Sequence, residues 1–222
     1  KYFNTCQIRV NTLNYIMNTK DKIIVMATNL FNLHGTKTIS TNHIAKKMGI
    51  SPGNLYYHFR SKNDIICSIS NKFSNDLGSV FQLKLHDISD FSKSLAHLFN
   101  RFFNVQRSYK FLFLEGVFLV KQDKYLLAHY TKLRSLIKEG YSDLLTNLVK
   151  IKLIKKETLM MKDDLLEAQW IIMWYWISHT SLDNHIYNDI QIKKGIRLSF
   201  SIIKPQLTHI GKVAFEKTLQ SL

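Results

Sequence analysis

Ile39 to Asp64 read ISTNHIAKKMGISPGNLYYHFRSKND, and this stretch decides how the rest of the chain is read. Ser40 is a good N-cap, and Ile39 with Ile44 is spaced as a hydrophobic staple across the helix start. The helix that follows shows Ile44, Ala45 and Met48, and Gly49 supplies the left-handed residue of a sharp turn. Ser51 caps a second helix with Pro52 at its first position, while Ile50 and Leu55 repeat the staple. A small residue at 45, a glycine four later and an apolar residue ten later form the helix-turn-helix pattern. Ala45 allows close crossing, Gly49 makes the turn, and Leu55 plugs the second helix into the core.

At about 100° per residue, Leu55 and Phe59 of that second helix point inward with Pro52 close to them. Gly53, Asn54 and Tyr57 then face out, and Tyr56 and His58 lie along the edges. Such a face suits a major groove. Gly53 permits close backbone approach, Asn54 can pair with the edge of adenine, and Tyr56 can pack on a thymine methyl. Tyr57 and His58 can reach phosphates, and Lys62 adds a cation beside helix-end amides that favour phosphate. With the helix-start hydroxyls of Ser40, Thr41 and Ser51, these are the candidate DNA-binding residues. Taken singly, the two tyrosines also read as ordinary half-buried aromatics; the pattern carries its meaning as a whole.

Outward from this stretch, helical periodicity dominates. Upstream, a helix is expected over about Thr19 to His34, with Ile23, Ala27, Leu30 and Phe31 on one stripe and Gly35 as its stop. Downstream, Ser61 to Asp64 has the form of a capping box and opens a helix with Ile65, Ile66, Ile69, Phe73 and Leu77 inward, ending near Gly78. Longer helices are expected at about 90–105, 109–120, 124–151, 162–180 and 189–203, the last closed by Pro205, then a short amphipathic tail over 208–220. The fold class is all-α: a three-helix helix-turn-helix DNA-binding domain at 19–65, then a helical ligand-binding and dimerisation domain at 66–222. Residues 1–18 read as an N-terminal arm, or as an extension upstream of a natural start at Met17.

The 222 residues carry 31 Lys and Arg against 16 Asp and Glu, with a pI near 9.7, which favours a polyanionic partner. The first 80 residues are the more basic per residue, yet charge alone does not locate a site. Cys6 and Cys67 are too few for a disulfide scaffold or a four-thiolate zinc site, so a cytoplasmic setting is the simplest expectation. The densest apolar run, Trp170 to Ile177, falls well short of the ~18 residues of a membrane span, so no membrane partner is expected. No glycine-rich phosphate loop, HExxH, GxSxG or paired-cysteine motif occurs. Neither an enzyme nor a cofactor is therefore expected. His179, Asp183 and His185 read as caps and solvated side chains at a helix end, not as a metal site.

The segment from 20 to 70 resembles the DNA-binding domain of the TetR/AcrR family of bacterial regulators. The matching residues are Gly35, Ser40, Ile44-Ala45, Gly49-Ile50-Ser51, the run Pro52 to Phe59, and Ser61-Lys62. The resemblance implies a homodimer, a near-palindromic double-stranded operator, and repression relieved by a small molecule. It also implies base contacts from the third helix and phosphate contacts from Tyr57, His58 and Lys62. A regulator acting without a ligand, a helix-turn-helix that docks protein or binds DNA without sequence choice, and an all-helical enzyme are the alternatives.

Two expectations concern the body. Aromatics crowd residues 99–130, and Phe102, Phe103, Phe113 and Phe118, with Trp174, are candidates to line a pocket for an apolar small molecule. Glu115 has Phe111, Leu112, Phe118 and Leu119 as helical neighbours, so it needs a partner, structural or in a ligand. The run Trp170 to Ile177 is apolar on every side, so it is expected to be covered on several faces, by its own core and by a second subunit. The candidate dimer interface is Trp170, Trp176, Ile192, Ile196 and Ile203.

Overall fold

The computed structural model describes residues 17–80, 88–182 and 188–221, and these are helical but for short connections and one isolated bridge between Ile154 and Leu207. They fall into two compact units, the first ending at Lys72 and the second beginning at Phe73. The expected grouping of Asp183 and His185 with His179, and nearly all of the expected N-terminal arm, lie outside the described residues.

The first unit contains α1 (Thr19–Thr38), α2 (Thr41–Met48), α3 (Pro52–His58) and the first half of α4 (Lys62–Val80). Asn18 starts α1 by accepting from the Asp21 amide at 2.9 Å. The helix buries Ile23, Ile24, Ala27 and Phe31. The expected stop at Gly35 is a break: its φ of 77° interrupts the helix, and the chain makes a further turn to Thr38. Ile39, Ile44, Ala45, Leu55, Phe59, Ile65, Ile66 and Ile69 join them in the apolar core of this unit.

The second unit holds the rest of α4 with α5 (Ile88–Ser108), α6 (Lys110–Gln122), α7 (Lys124–Lys150), α8 (Lys162–Leu182), α9 (Asp189–Ile203) and α10 (His209–Ser221). Asp123 caps α7 and Asn188 caps α9 through their side-chain oxygens. Within this unit α8 packs on α9, α5 on α10, and α6 on both α7 and α8. Phe73 meets Tyr109, Phe113 and Trp174 edge-on, and Trp170 stacks on Trp174 with ring centres 4.6 Å apart. Such pairs add about 0.5–1.5 kcal/mol each beyond the area they bury. Polar ties fix α4 here too: the Tyr109 hydroxyl donates to Asp76 at 2.6 Å, and Arg101 donates to the Ser79 hydroxyl at 2.7 Å. Burial above all, then the Asp76 hydrogen bond and charge, raises the Tyr109 phenol well beyond its usual range, so it remains a donor.

Three features depart from the sequence reading. First, a 3-10 helix at Lys156–Met161 joins α7 to α8. Second, the expected C-terminal tail belongs to the core. Phe215 of α10 sits between Phe91 and Phe200, with ring centres 4.9 and 5.0 Å away. Backbone bonds clamp the start of that helix, Thr208 N donating to Leu153 O at 3.0 Å and Lys155 N to Gln206 O at 2.8 Å.

Third, the residues expected at a dimer interface are covered within their own chain. Trp170, Ile192, Ile196 and Ile203 are buried, and the half-buried Trp176 donates its indole N–H to Gln191 O at 2.7 Å. The physical reason is that α6, α7 and α9 all pack against α8 within the same chain. The apolar side chains left exposed on α8 and α9 are Ile171, Tyr175, Leu182, Ile190 and Leu198. No helix among the described residues is long and apolar enough to cross a membrane.

Gly211 marks the tightest approach: a Cβ there would overlap the carbonyl oxygen of Leu153. The obstacle is backbone that α10 itself clamps, so neither partner can yield cheaply. Gly211→Ala should destabilise the fold by about 1–3 kcal/mol, the usual cost of overpacking. Urea unfolding measures it, and an unchanged midpoint would show that α10 docks less tightly than described.

Candidate nucleic-acid interface and body cavity

α3 has seven residues, too few to hold helical form without help. Three devices fix it. Ser51 Oγ accepts from the Asn54 amide at 3.1 Å, Pro52 pre-sets the first turn, and Leu55 and Phe59 are buried. α2 is fixed at both ends. Ser40 Oγ accepts from the His43 amide while His43 Nδ1 accepts from the Ser40 amide, each at 3.3 Å, a reciprocal capping box. At the other end Gly49, with φ 68°, ends α2 in the left-handed conformation and turns the chain into α3.

The result is a short helix with one face free. Gly53, Asn54, Tyr56 and Tyr57 are exposed, Tyr57 to 85 %, and His58 is half-buried with its ring edge-on to Tyr57 at 5.1 Å. Nothing lies within 3.9 Å of where a Gly53 Cβ would be, so a close approach to the backbone is open. The side-chain amide of Asn54 makes no hydrogen bond among the described residues. Tyr56 behaves differently: its hydroxyl shares a hydrogen bond with the Thr41 hydroxyl at 3.1 Å, joining α3 to the first residue of α2. Thr41 therefore orients Tyr56, a link that spacing within one helix could not reveal. Lys46, Lys47 and Arg60 are exposed cations beside this face in sequence, and the sequence reading did not single them out.

Lys62 does more than the phosphate role expected of it. Its ammonium donates to Thr36 O at 2.7 Å, in the turn that follows the Gly35 break. Two of its three donor positions remain for other acceptors. The Ser61 hydroxyl accepts from the Asp64 amide at 3.1 Å and starts α4 as a cap.

In the second unit a cavity of about 100 Å³ lies among α5, α7, α8 and α9, with Leu77 of α4 and Phe215 of α10 completing its wall. Helical repeats line it: Phe91, Leu95, Phe99 and Phe102 along α5, and Ile137, Tyr141, Leu144 and Leu148 along α7. Of the expected pocket residues, Phe102 and Trp174 belong to this wall. Phe103 and Phe113 do not; they are buried in the aromatic core, Phe113 against Phe73 and Trp174. Glu115 is half-exposed and Phe118 exposed, both away from the cavity, because α6 turns that face outward. Trp170 and Ile203, expected at the interface, line the cavity instead. Among the described residues no group of three His, Cys, Asp or Glu could hold a metal.

Comparison with known proteins places both units. The model for bacterial regulatory proteins of the tetR family matches residues 23–69, and the TetR model for a bacterial transcriptional repressor matches 72–215. QacR, a helix-turn-helix regulator of Staphylococcus aureus, is 44% identical over 55 residues, which make up 25% of this chain and 29% of that protein. The match thus spans under a third of that relative. A TetR-family regulator from Marinobacter aquaeolei superposes with TM-score 0.79 at 23% identity, over 90% of this chain and 99% of its own. SmeT, the repressor of a Stenotrophomonas maltophilia efflux pump, is solved in complex with triclosan. That structure superposes with TM-score 0.60 at 11% identity, over 86% of this chain and 92% of its own.

The Lys62 contact separates a folding role from a binding role. Lys62→Met keeps the side-chain stem but removes the donor to Thr36 O. It should lower stability by about 1.5–3 kcal/mol in the absence of DNA, the range for a hydrogen bond involving a charged group. Thermal unfolding of the free protein reads this directly. A wild-type melting curve would leave Lys62 with no structural part.

Proposed function

The chain belongs to the TetR family of bacterial transcriptional repressors, and from that premise we propose a cytoplasmic homodimer that grips a near-palindromic operator and releases it when a small apolar molecule enters the body. The observation that carries the release step is the apolar cavity. Its wall includes Leu77 of α4, and α4 follows directly on the reading helix. A ligand that moves Leu77 acts on the same helix that Lys62 ties to the Thr36 turn. The triclosan complex of SmeT supports a body that takes small apolar molecules.

Roles on the DNA follow from the exposed face of α3. Asn54 reads a base edge, Gly53 lets the backbone come close, and Tyr56 packs on a thymine methyl while Thr41 orients it. Tyr57, His58 and Lys62, with Ser40 and Ser51 at the helix starts, serve phosphates, and Lys46, Lys47 and Arg60 add charge. The subunits pair through the apolar residues that α8 and α9 leave exposed: Ile171, Tyr175 and Leu182, with Ile190 and Leu198.

Selection from random duplexes should return a palindrome with half-sites about one helical turn apart, roughly 34–36 Å, or a longer in-phase spacing. Affinity should fall steeply with salt as phosphate contacts release counterions. Asn54→Ala should cost about 1–3 kcal/mol at one half-site position and relax its base preference. No enrichment, or binding insensitive to salt, would overturn the operator reading.

Ile171 is 53 % exposed on α8, so a charge there is harmless to a lone subunit. Ile171→Glu should therefore yield folded monomers by sedimentation and weaken operator binding sharply. Dimers of unchanged affinity would place the interface elsewhere.

A further inference from the structure

The chemistry of the cavity wall narrows what can enter. Twenty residues line it, and none is Asp, Glu, Lys, Arg or His. The surface is aliphatic and aromatic almost throughout, with Trp170 and Trp174 stacked in the wall. An ion brought in would lose its hydration and find no opposite charge, a cost far above that of burying a neutral polar group. Two ion pairs stand in the surface clefts that share Leu166 with this wall. Between α7 and α8, Arg134 pairs with Glu167 at 2.6 Å and Lys138 with Asp163 at 2.9 Å.

Three polar side chains interrupt the apolar lining: Tyr141, Gln169 and Ser199. Gln169 spends its amide N–H on Ser199 O at 2.7 Å, which leaves its carbonyl oxygen as an acceptor. The Tyr141 hydroxyl has no hydrogen-bond partner among the described residues, and burial raises its phenol, so at neutral pH it remains an O–H donor. A donor and an acceptor thus stand in one apolar wall without partners of their own. The wall thus offers a ligand hydroxyl both kinds of partner, a donor in Tyr141 and an acceptor in Gln169.

We propose that the cavity between α5, α7, α8 and α9 selects an uncharged molecule, a compact hydrocarbon or aryl body bearing one hydroxyl that meets Tyr141 and Gln169. The proposal rests on the reading that the body takes a ligand, and it goes beyond it by excluding cations and carboxylates of the same size. The cavity volume, about 100 Å³, favours a small occupant such as one ring or a short chain.

The test uses the full chain and three hexyl probes that differ only in headgroup: 1-hexanol, hexylammonium and heptanoate, with ethylbenzene as a control that lacks a polar group. Tryptophan fluorescence follows binding, since Trp170 and Trp174 are in the wall. Hexanol should bind at least tenfold tighter than either ion. Tyr141→Phe should weaken hexanol by about three- to tenfold, the worth of one neutral hydrogen bond, and leave ethylbenzene unchanged. Gln169→Leu, which removes the acceptor, should act in the same direction.

Either ion binding as tightly as hexanol overturns the proposal, as does a failure of all four probes to bind. Equal loss of hexanol and ethylbenzene in Tyr141→Phe would mean that the ring shapes the wall and the hydroxyl recognises nothing. Operator binding measured in the same samples keeps the two readings apart. Hexanol that binds without changing operator affinity sustains the selectivity and removes the release step. An ion that binds and releases operator does the reverse.

Discussion

A seven-residue helix that must show one face to solvent depends on its other face being gripped, and in this chain the grip is the burial of Leu55 and Phe59. Helix formation has a costly nucleus, so a segment of this length is not stable by propensity alone. Ser51, Pro52 and the left-handed Gly49 lower the cost of starting it, and the two buried side chains supply most of the remainder. Each is worth about 1.5–3 kcal/mol when fully buried. The side chains of Gly53, Asn54 and Tyr57 can be exposed on α3 because none of them is needed to hold it. Labour is divided along the helix: positions 55 and 59 hold, positions 53, 54 and 57 are available, and Tyr56 is exposed yet tied to Thr41.

Much of this was legible in the sequence because it is local. Caps, staples, the turn glycine and the helical period all act within a few residues, so the order of helices in both units follows from them. The His43 half of the capping box was not legible, since a Glu or Gln is the residue that normally marks that position. Links across long separations were not legible either. Lys62 to Thr36, Thr41 to Tyr56 and Phe215 to Phe91 each join elements whose relative placement no periodicity encodes.

The body shows the same limit in its sharpest form. Crowding of aromatics over 99–130 correctly announced a dense apolar interior but misplaced the open space in it. Phe102 lines the cavity and Phe103, one position along at about 100° of rotation, is core. The stripe of Phe91, Leu95, Leu98, Phe99 and Phe102 is regular enough to be seen in the sequence. What it faces depends on α7, α8 and α9 arriving opposite it. Trp170 and Ile203 were likewise readable as needing cover, but not as being covered by their own chain.

The cavity also sets an energy scale for control. By the scaling found for core voids, about 24 cal/mol per Å³, leaving about 100 Å³ unfilled by side chains costs on the order of 2 kcal/mol. An occupant recovers some of that cost wherever the wall keeps its shape, and less where the wall must close. A tenfold change in operator affinity needs a coupling of only about 1.4 kcal/mol. The two figures are of the same order, so filling this cavity is comparable in energy with the coupling that ligand control of an operator would require. Leu77 is the α4 residue in the cavity wall, and the Asp76–Tyr109 and Ser79–Arg101 bonds hold this part of α4 within the second unit. Polar bonds at 76 and 79 thus bracket the wall residue at 77, so this stretch of α4 is held where a change of cavity volume would be felt first.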